Sequence, residues 1–421
     1  NNPKINNQKF TLYDENFAFS ESNYLPNGLG RSYGDVGLNE NGILISSEKL
    51  DRVISFDDKN GILNCESGMS LEAILRLITP KGWFLPVVPG TRNVTLGGAI
   101  ANDIHGKNHH KVGTIGNYVK SLKLLRSDGN ILHCDDKTNK DYFLSTIAGL
   151  GLTGLIISVE IMLIKIESEF MDIKTFKYKS LEEYWEINEK CEQNYEYTVS
   201  WVDCLHNQKG GLRGIYIAGN HSKNITNKSP KKELKVTFPF TPPFSLVNNL
   251  SMRLINHLYY TKNKKTSESL QYFKNYFFPL DVIQDWNKAY GRNGFFQYQF
   301  VIPKKNAPAT LDKVLATLKE NKQVPALGVL KSFGNIKSPG LLSFPKEGVT
   351  LALDFPNKGK KTQILFDQLN EIIFKNDGRL YPAKDAFMKS DEFEKSYEKI
   401  KEFSNYIDPK FSSSFWRRVN T

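Results

Sequence analysis

Short apolar runs, each bounded by glycine or by polar residues, dominate the first part of the chain. Such runs are typical of strands, and three of them predict strands at residues 43–46, 52–57 and 62–66. Residues 70–79 carry apolar side chains at helical spacing and predict one amphipathic helix. The Asp128-Gly129 pair between two further apolar runs predicts a hairpin, because glycine tolerates the positive φ of a tight turn.

The second part, from about residue 167, alternates strand-like runs with amphipathic helices. The predicted strands cover residues 170–178, 195–203, 212–218, 294–302, 326–333 and 349–355. The predicted helices cover residues 181–193, 309–321 and 362–374. This order is typical of an antiparallel sheet with helices on one face. Residues 379–421 predict one more helix and a polar tail, and the fold class predicted for the whole chain is α+β.

Two neighbouring segments interrupt this order. Residues 222–235 are rich in lysine, asparagine and serine, a composition that predicts a surface loop. Residues 238–260 are apolar and aromatic, with lysines on both sides. Two interpretations are open for the region of about residues 222–276. It forms a mobile lid over an apolar ligand or lipid surface, or its apolar part packs in the core as most such stretches do.

The length of 421 residues allows two or three domains, and 40% hydrophobic with 24% charged residues is typical of a globular protein. The longest apolar run, residues 150–166, is interrupted by polar side chains and predicts a buried strand rather than a membrane span. Residues 1–10 are polar and lack the apolar core of a signal peptide. We therefore expect a cytoplasmic protein, or one bound peripherally at the inner membrane surface.

The net charge is +11, and the chain has 45 lysines but 11 arginines. Sequence-specific readers of nucleic acid rely on the arginine fork, so we expect no nucleic-acid partner. A lysine-rich solvated surface explains the charge, and attraction to an anionic membrane surface is a second interpretation.

The glycine-rich segments are the first feature of the sequence that indicates a ligand. Residues 149–154 match the spacing of a dinucleotide-binding loop, but a helix precedes them and a strand follows, so they predict a tight helix-to-strand turn instead. Residues 27–35 and 89–98 are more informative, because glycine lets successive backbone amides approach an anion closely. Together they predict one large cofactor threaded between two loops.

A third polar loop, residues 102–110, contains His105, Lys107, His109 and His110. The histidines lack the glutamate of a zinc-protease motif, and the four cysteines (residues 65, 134, 191 and 204) are far apart and predict free thiols. We expect no metal site. The loop instead suits hydrogen bonding to a cofactor ring or to a substrate oxygen.

Strand alternation in residues 294–301 places Gln297 and Gln299 on one face. Two neighbouring amides can hold a polyol without titrating, although an exposed strand face explains the same pattern.

These motifs together resemble the FAD-binding domain of the vanillyl-alcohol-oxidase type, and more specifically the decaprenylphosphoryl-β-D-ribose 2-oxidase family. The resemblance spans nearly the whole chain except residues 222–276. It rests on residues 28–35, 89–92, 97–98, 101–110 and 149–154, and continues through 278–281, 286–287, 289–291, 297–303, 379–381, 383–385 and 408–409.

The resemblance implies a two-part FAD domain, residues 1–168 and 379–421, with a substrate domain, residues 169–378, inserted between them. Covalent members of the wider superfamily carry histidine where this chain has Arg31, so non-covalent FAD is expected. The residues implied to hold it are Asn27, Gly28, Leu29, Gly30, Arg31, Ser32, Tyr33, Gly34, Asp35, Gly90, Thr95, Leu96, Gly97, Gly98, Asn102, Asp103, Ile104, His105, Ile157 and Tyr381.

The implied reaction is oxidation of the 2-hydroxyl of a polyprenyl-phosphoryl pentose to the 2-keto form, the first half of an epimerisation that a short-chain NAD(P)H-dependent reductase completes. Lys384 matches the family's flavin-facing lysine and would stabilise developing negative charge. Tyr33, His105 and Lys384 are all candidates for the group that accepts the hydroxyl proton. The residues implied to bind substrate are Lys107, Trp201, Gln297, Gln299, Lys331 and Phe333.

Two rival functions are open. A soluble alditol or aldonolactone oxidase would use the same FAD domain on a free polyol. A basic binding protein without catalytic activity would bind polyanions in a steeply salt-dependent manner.

Overall fold

The computed structural model describes residues 8–12, 17–20, 23–206, 212–224, 235–323 and 325–420. The predicted surface loop at residues 222–235 lies mostly outside these ranges, and so does most of the polar segment at residues 1–10.

The first part of the chain builds small sheets around a core of aliphatic side chains. Strands β4, β5, β9, β7 and β8 form a five-stranded antiparallel sheet in that order, and β1, β3 and β2 form a parallel one. The elements are β1 (Gln8–Thr11), β2 (Tyr24–Asn27), β3 (Ile43–Ser46), β4 (Val53–Asp57), β5 (Ile62–Glu66), α1 (Leu71–Ile78), β6 (Trp83–Phe84), α2 (Leu96–Ala101), α3 (His109–Val112), β7 (Val119–Leu125), β8 (Ile131–Asp135), α4 (Lys140–Thr146), β9 (Leu155–Met162) and β10 (Ile164–Lys165).

Local sequence explains several of these elements. Helix α1 begins after Ser70, whose hydroxyl accepts a hydrogen bond from the Ala73 amide at 3.2 Å, a standard N-cap. Gly129 adopts φ 86° in the predicted hairpin between β7 and β8. Gly151 and Gly154, at φ 78° and 137°, lie in the tight turn between α4 and β9. The predicted helix, hairpin and turn are therefore confirmed.

The second part forms one large antiparallel sheet. Its strand order is β15-β11-β13-β12-β18-β19-β17-β20. The elements are β11 (Phe170–Tyr178), α5 (Leu181–Asn194), β12 (Tyr197–Asp203), β13 (Arg213–His221), β14 (Val236–Thr237), α6 (Asn249–Lys262), β15 (Thr266–Tyr272), α7 (Phe273–Phe277), β16 (Ile283–Gln284), β17 (Phe295–Ile302), α8 (Ala307–Glu320), β18 (Gly328–Phe333), β19 (Gly348–Pro356), α9 (Lys360–Phe374) and β20 (Arg379–Leu380).

The two faces of this sheet differ because side chains alternate along each strand. One face, which includes Phe300 and Leu353, packs on apolar side chains of α5, α8 and α9 such as Leu311 and Leu365. The other face carries Gln297, Lys331 and other polar side chains and lines a cavity. The predicted sheet with helices on one face is confirmed.

The carboxy-terminal segment differs from its prediction. It forms three short helices, α10 (Ser390–Ser396), α11 (Ile400–Ser404) and α12 (Ser414–Val419), rather than one helix and a polar tail. Their aromatic residues Phe393, Phe403, Phe415 and Trp416 are buried in the same core as the sheet. The prediction was wrong because these aromatic residues are scattered among charged ones and reveal a buried face only after the short helices fold together.

The carboxy-terminal segment also contacts the first part of the chain. The Tyr24 amide donates to the Lys410 carbonyl at 2.7 Å, and the Ser412 amide donates to the Tyr24 carbonyl at 2.9 Å. These contacts agree with a two-part FAD domain, whose boundaries stay a prediction.

Helix α6 lies within the segment with two open interpretations. Met252, Asn256 and Tyr260 are buried, whereas Leu250, Leu254 and neighbouring apolar side chains are exposed. Ordinary core packing therefore does not describe this segment. In the part of the chain that the structure describes, no helix is long and apolar enough to cross a membrane.

Candidate active site

A cavity of about 1410 Å³ lies between the glycine loops of the first part and the polar face of the large sheet. Its wall on one side comes from residues 26–33, 88–95, 101–102 and 104–107. Its wall on the other side comes from β12, β17, β18 and β19 together with Lys384. The two loops that the sequence predicts to hold one cofactor thus share one cavity with five of the six predicted substrate residues.

The glycine loops pack so closely that side chains would not fit. A Cβ at Gly28 would lie 2.2 Å from the Thr95 Oγ1, and one at Gly97 would lie 2.8 Å from the Ser67 Cβ. Gly30 adopts φ 60°, a conformation that other residues rarely take. The Thr95 hydroxyl accepts a hydrogen bond from the Gly98 amide at 3.2 Å and fixes the start of α2. Glycine therefore shapes this end of the cavity.

Several buried polar atoms on the wall have no hydrogen-bond partner among the described residues. They are Ser67 Oγ, Asn102 Oδ1, His105 Nδ1, Gln297 Oε1 and Gln299 Oε1. Buried polar atoms are normally satisfied, so these five require a polar ligand or water. A long polar cavity with bare backbone at one end fits a dinucleotide such as FAD.

Hydrogen bonds fix the side-chain amides of Gln297 and Gln299. The Gln299 amide nitrogen donates to His105 Nε2 at 3.0 Å and to Thr350 Oγ1 at 2.9 Å. The Gln297 amide nitrogen donates to the Asp354 carboxylate, which lies opposite it in the β17–β19 register. Both glutamines therefore present a free carbonyl oxygen in a fixed orientation.

Three buried lysines line the site, and burial disfavours their charged form. Burial lowers the pKa of Lys107 and of Lys331 to about 7 and that of Lys384 to about 8. The charges of Lys384 and Lys107 depress the pKa of Lys331 further. The Asp354 carboxylate acts in the opposite direction on Lys384, and burial raises the pKa of Asp354 itself to about 6.

The lysines are individually positioned. The Lys107 ammonium donates to the Tyr276 carbonyl and lies 4.2 Å from the centre of the Tyr276 ring. The Lys331 ammonium lies 3.5 Å from the Gly106 carbonyl. The Lys384 ammonium lies 5.7 Å from the centre of the Tyr33 ring. Lys384 thus enters from the carboxy-terminal segment, and the other two enter from the third loop and the sheet.

The candidate proton acceptors differ in protonation. Burial, followed by the charges of Lys331 and Lys384, holds the pKa of His105 well below its usual value, so this imidazole is neutral. Burial raises the pKa of Tyr33 far above its usual value, so the phenol keeps its proton. The Gln299 amide nitrogen donates to His105 Nε2, which places the imidazole proton on Nδ1.

Most predicted site residues line the cavity. They are Asn27, Gly28, Leu29, Gly30, Arg31, Ser32, Tyr33, Gly90, Thr95, Gly97, Gly98, Asn102, Ile104, His105, Lys107, Trp201, Gln297, Gln299, Lys331, Tyr381 and Lys384. Their roles in binding FAD or substrate stay predictions.

Other predicted residues lie behind the wall, namely Gly34, Asp35, Leu96, Asp103, Ile157 and Phe333. Phe333 does not line the substrate pocket, because its ring packs against His105 and His109, with centroids 4.8 and 4.4 Å apart. The Asp103 carboxylate accepts hydrogen bonds from the Gly116 amide at 2.9 Å and the Ser343 hydroxyl at 2.6 Å. These side chains support neighbours that reach the cavity.

The other predicted residues behind the wall also contact neighbouring residues rather than the cavity. Leu96 and Ile157 are buried in apolar clusters, and Gly34 packs against the Asp385 backbone. Asp35 pairs with Arg418 at 2.7 Å. A position inside a glycine-rich motif therefore does not by itself place a residue on the cavity surface.

The sequence did not predict Asp354 and Thr350 as residues of the site. Both lie on β19 on the same face as Ala352, and Asp354 and Ala352 line the cavity. A signal was present, because one aspartate interrupts an otherwise uncharged predicted strand at residues 349–355. A buried carboxylate in such a strand indicates a functional or structural partner.

Comparisons with known proteins agree with this site. A family described as an FAD binding domain matches residues 19–135. The decaprenylphosphoryl-beta-D-ribose oxidase of Mycolicibacterium smegmatis is 33% identical over 93% of this chain and 88% of its own length. The L-gulonolactone oxidase of Mus musculus is 29% identical over 31% of this chain and 30% of its own length. The D-lactate dehydrogenase of Archaeoglobus fulgidus is 35% identical over 27% of this chain and 25% of its own length.

The glycine cradle, the polar cavity and the matching domain define an FAD-dependent oxidoreductase. Because similarity to the mycobacterial relative extends over nearly all of both chains, this chain belongs to the decaprenylphosphoryl-beta-D-ribose oxidase family. The expected family and the expected FAD cofactor are confirmed. Membership implies FAD-dependent oxidation of a sugar substrate, which excludes the basic binding protein without catalytic activity.

Proposed function

We propose that this enzyme oxidises the 2-hydroxyl of a polyprenyl-phosphoryl pentose to the 2-keto form, as the first half of an epimerisation. The observation that carries the proposal is similarity over 93% of the chain to a relative named for a decaprenylphosphoryl ribose. A short-chain NAD(P)H-dependent reductase would complete the epimerisation. The enzyme would work at the inner membrane surface, where a lipid-linked substrate is found.

The charge of the cavity supports an anionic substrate. Lys107 and Lys331 both lie in the cavity wall, and burial costs their ammonium groups favourable hydration. A phosphoryl group near them would raise the pKa of both lysines and offset that cost. A neutral free polyol would not offset that cost.

The sugar hydroxyls would be held by neutral groups. The free carbonyl oxygens of Gln297 and Gln299 can accept hydrogen bonds from two hydroxyls on neighbouring carbons, and the bonds behind them prevent the amides from rotating. The apolar Trp201 and Ala352 lie on the same sheet face and offer contact to the sugar ring. This combination would orient the sugar without changing its charge.

Three side chains would take part in the chemistry. FAD, when bound along the glycine loops, supplies the oxidising power by accepting hydride from carbon. His105 would position the sugar through its unpaired Nδ1–H; its Nε2 lone pair is taken by the Gln299 amide and Tyr33 keeps its own proton, so the hydroxyl proton would pass to water in the cavity. The Lys384 ammonium would stabilise negative charge that develops beside it. Tyr33 would pack next to that ammonium.

The rival function, oxidation of a free alditol or aldonolactone, has weaker support. L-gulonolactone oxidase matches 31% of the chain, so it supports the shared cofactor site rather than a shared substrate.

The decisive experiment offers both substrate classes to FAD-loaded protein. We expect turnover of polyprenyl-phosphoryl ribose with an artificial electron acceptor, and a product two mass units lighter by mass spectrometry. Lys384→Ala should lower kcat by about 100- to 1000-fold with FAD still bound. The control Lys395→Ala removes an exposed lysine of the same segment and should keep full turnover. Turnover of free polyols without oxidation of the lipid-linked sugar would reject the proposal.

A further inference from the structure

Helix α6 carries an apolar stripe that points away from the protein. Leu250, Leu254 and Leu258 are spaced four residues apart and are therefore on one face of the helix. Their side chains are 81%, 60% and 57% exposed. Isolated exposed leucines are common, but a row of three on one helix marks an interaction surface.

The segment before the helix carries further exposed apolar side chains. Phe240 and Phe244 are 62% and 68% exposed, although aromatic rings of this size are usually buried. We name these five residues, Phe240, Phe244, Leu250, Leu254 and Leu258, the apolar patch.

The segment that carries the apolar patch has charged side chains of one sign. Residues 235–265 contain five basic side chains and no aspartate or glutamate. All five are exposed: Lys235, Arg253, Lys262, Lys264 and Lys265. Leucine and phenylalanine beside lysine and arginine are the composition of helices that lie in the interface of an anionic membrane.

The opposite side of α6 is fixed to the protein. The Asn256 amide nitrogen donates to the Asp203 carboxylate at 2.7 Å, and the Tyr260 hydroxyl donates to the Tyr178 carbonyl at 3.3 Å. Arg213 pairs with the same Asp203 at 2.8 Å and neutralises its charge. The helix is therefore held with its leucine row outward.

The inner side of α6 faces the active-site cavity. Met252, Asn256 and Tyr259 are part of the cavity wall, and the Tyr259 ring packs against Trp201 with centroids 4.8 Å apart. A single helix thus separates the cavity from the apolar patch. A surface that binds the patch would lie next to the cavity mouth.

We propose that the apolar patch docks the enzyme on an anionic lipid surface and places the cavity mouth at the bilayer. The lipid-linked nature of the substrate rests on the proposed function, but docking itself does not. The basic residues complement anionic headgroups, whereas a second copy of this chain would bring two positive surfaces together. A bilayer is therefore the occupant that the charges favour.

Vesicle binding tests this proposal with the FAD-loaded full chain. We expect sedimentation with vesicles of phosphatidylcholine containing about one third phosphatidylglycerol, and far weaker sedimentation with phosphatidylcholine alone. The variant Leu250→Gln/Leu254→Gln/Leu258→Gln should weaken binding by about tenfold or more. Its control, Ile54→Gln/Ile131→Gln/Ile364→Gln, changes three exposed apolar residues elsewhere and should bind like wild type.

A second pair of variants tests whether the lysines beside the apolar patch contribute to vesicle binding. Lys262→Gln/Lys264→Gln/Lys265→Gln should weaken binding to the anionic vesicles. Lys305→Gln/Lys313→Gln/Lys319→Gln changes three exposed lysines in α8 and just before it, and should not weaken binding. FAD content and circular dichroism confirm that each variant is folded.

Three results would overturn docking: no binding of wild type to anionic vesicles, equal binding of the leucine variant, or a dimer that the leucine variant converts to a monomer. Binding is read without turnover, so it is independent of the proposed function. A protein that binds vesicles but leaves polyprenyl-phosphoryl ribose unchanged would retain the docking site and lose the substrate assignment.

Discussion

Asp354 sets the electrostatic balance of the site at the scale of single residues. Lys384 loses hydration on burial, which lowers the pKa of its ammonium group to about 8. The Asp354 carboxylate counteracts this effect and keeps the ammonium charged near neutral pH. The Gln297 amide in turn holds the carboxylate in place. Asp354 is therefore a positioning residue for the charge on Lys384.

Replacing Asp354 should change the pH dependence of the reaction. In Asp354→Asn the neutral amide no longer raises the pKa of Lys384, so the ammonium deprotonates at lower pH. The alkaline limb of the kcat/KM profile should move to lower pH by about one unit. The difference in kcat/KM between Asp354→Asn and wild type should vanish below about pH 6, the pKa of Asp354. Below that pH the wild-type carboxylate is protonated and is as neutral as the amide.

The control for this prediction is Asp367→Asn, which removes a half-exposed carboxylate on α9 that pairs with Lys389. Its pH profile should match wild type. An Asp354→Asn enzyme with an unshifted alkaline limb would show that Lys384 is not the titrating group.

At the scale of elements, the glycine loops act through close backbone packing. The Gly97 amide donates to the Ser67 carbonyl at 2.8 Å, which joins the start of α2 to the loop after β5. A side chain at residue 97 would force these two segments apart, because its Cβ would lie 2.8 Å from the Ser67 Cβ.

Gly97→Ala should therefore lose FAD without unfolding the protein. We expect FAD affinity to fall by about tenfold or more, since the amides around the cofactor shift by a few tenths of an ångström. Flavin fluorescence titration of the apoprotein measures this directly. Gly37→Ala is the matched control, because its added Cβ would meet only the Ser32 side chain at 3.8 Å. Equal affinity of both variants would contradict the packing argument.

At the scale of the whole molecule, Arg418 joins three distant parts of the chain. It lies in α12 and pairs with Asp35 at 2.7 Å and with Asp385 at 3.0 Å. Asp35 ends the first glycine loop, and Asp385 follows Lys384. Burial raises the pKa of Asp385, and the Arg418 guanidinium acts against this rise. The last helix thus couples the cofactor loop to the lysine segment.

Arg418→Gln should lower the free energy of unfolding by about 3 kcal/mol, because it leaves the Asp385 carboxylate buried without its cation. Urea unfolding at saturating FAD measures the loss. The double variant Arg418→Gln/Asp385→Asn should recover part of it, since the unpaired charge is gone. Arg417→Gln is the control, because Arg417 bonds to neutral groups of Asn39 and Glu40 and should cost far less. Equal losses for both arginines would exclude the coupling.

The local pattern of apolar and polar residues was enough to predict much of the fold. The apolar periodicity predicted α1, the strands of the large sheet and the helices on one of its faces, because each depends on short-range spacing. The glycine motifs predicted a shared cofactor site, since glycine is required wherever backbones approach closely. The three carboxy-terminal helices were missed, because helices of five to seven residues are too short for a clear periodic signal.

The sequence by itself determined the elements, the glycine cradle and most of the residues that reach the cavity. The tertiary structure alone decided which of them face it, as Phe333 and Asp103 lie behind the wall while the unpredicted Asp354 lies on it. It also decided that one face of α6 stays exposed. The physical reason is that spacing along the chain fixes backbone geometry, whereas burial, pairing and pKa depend on neighbours brought from hundreds of residues away, as Lys384 and Arg418 are.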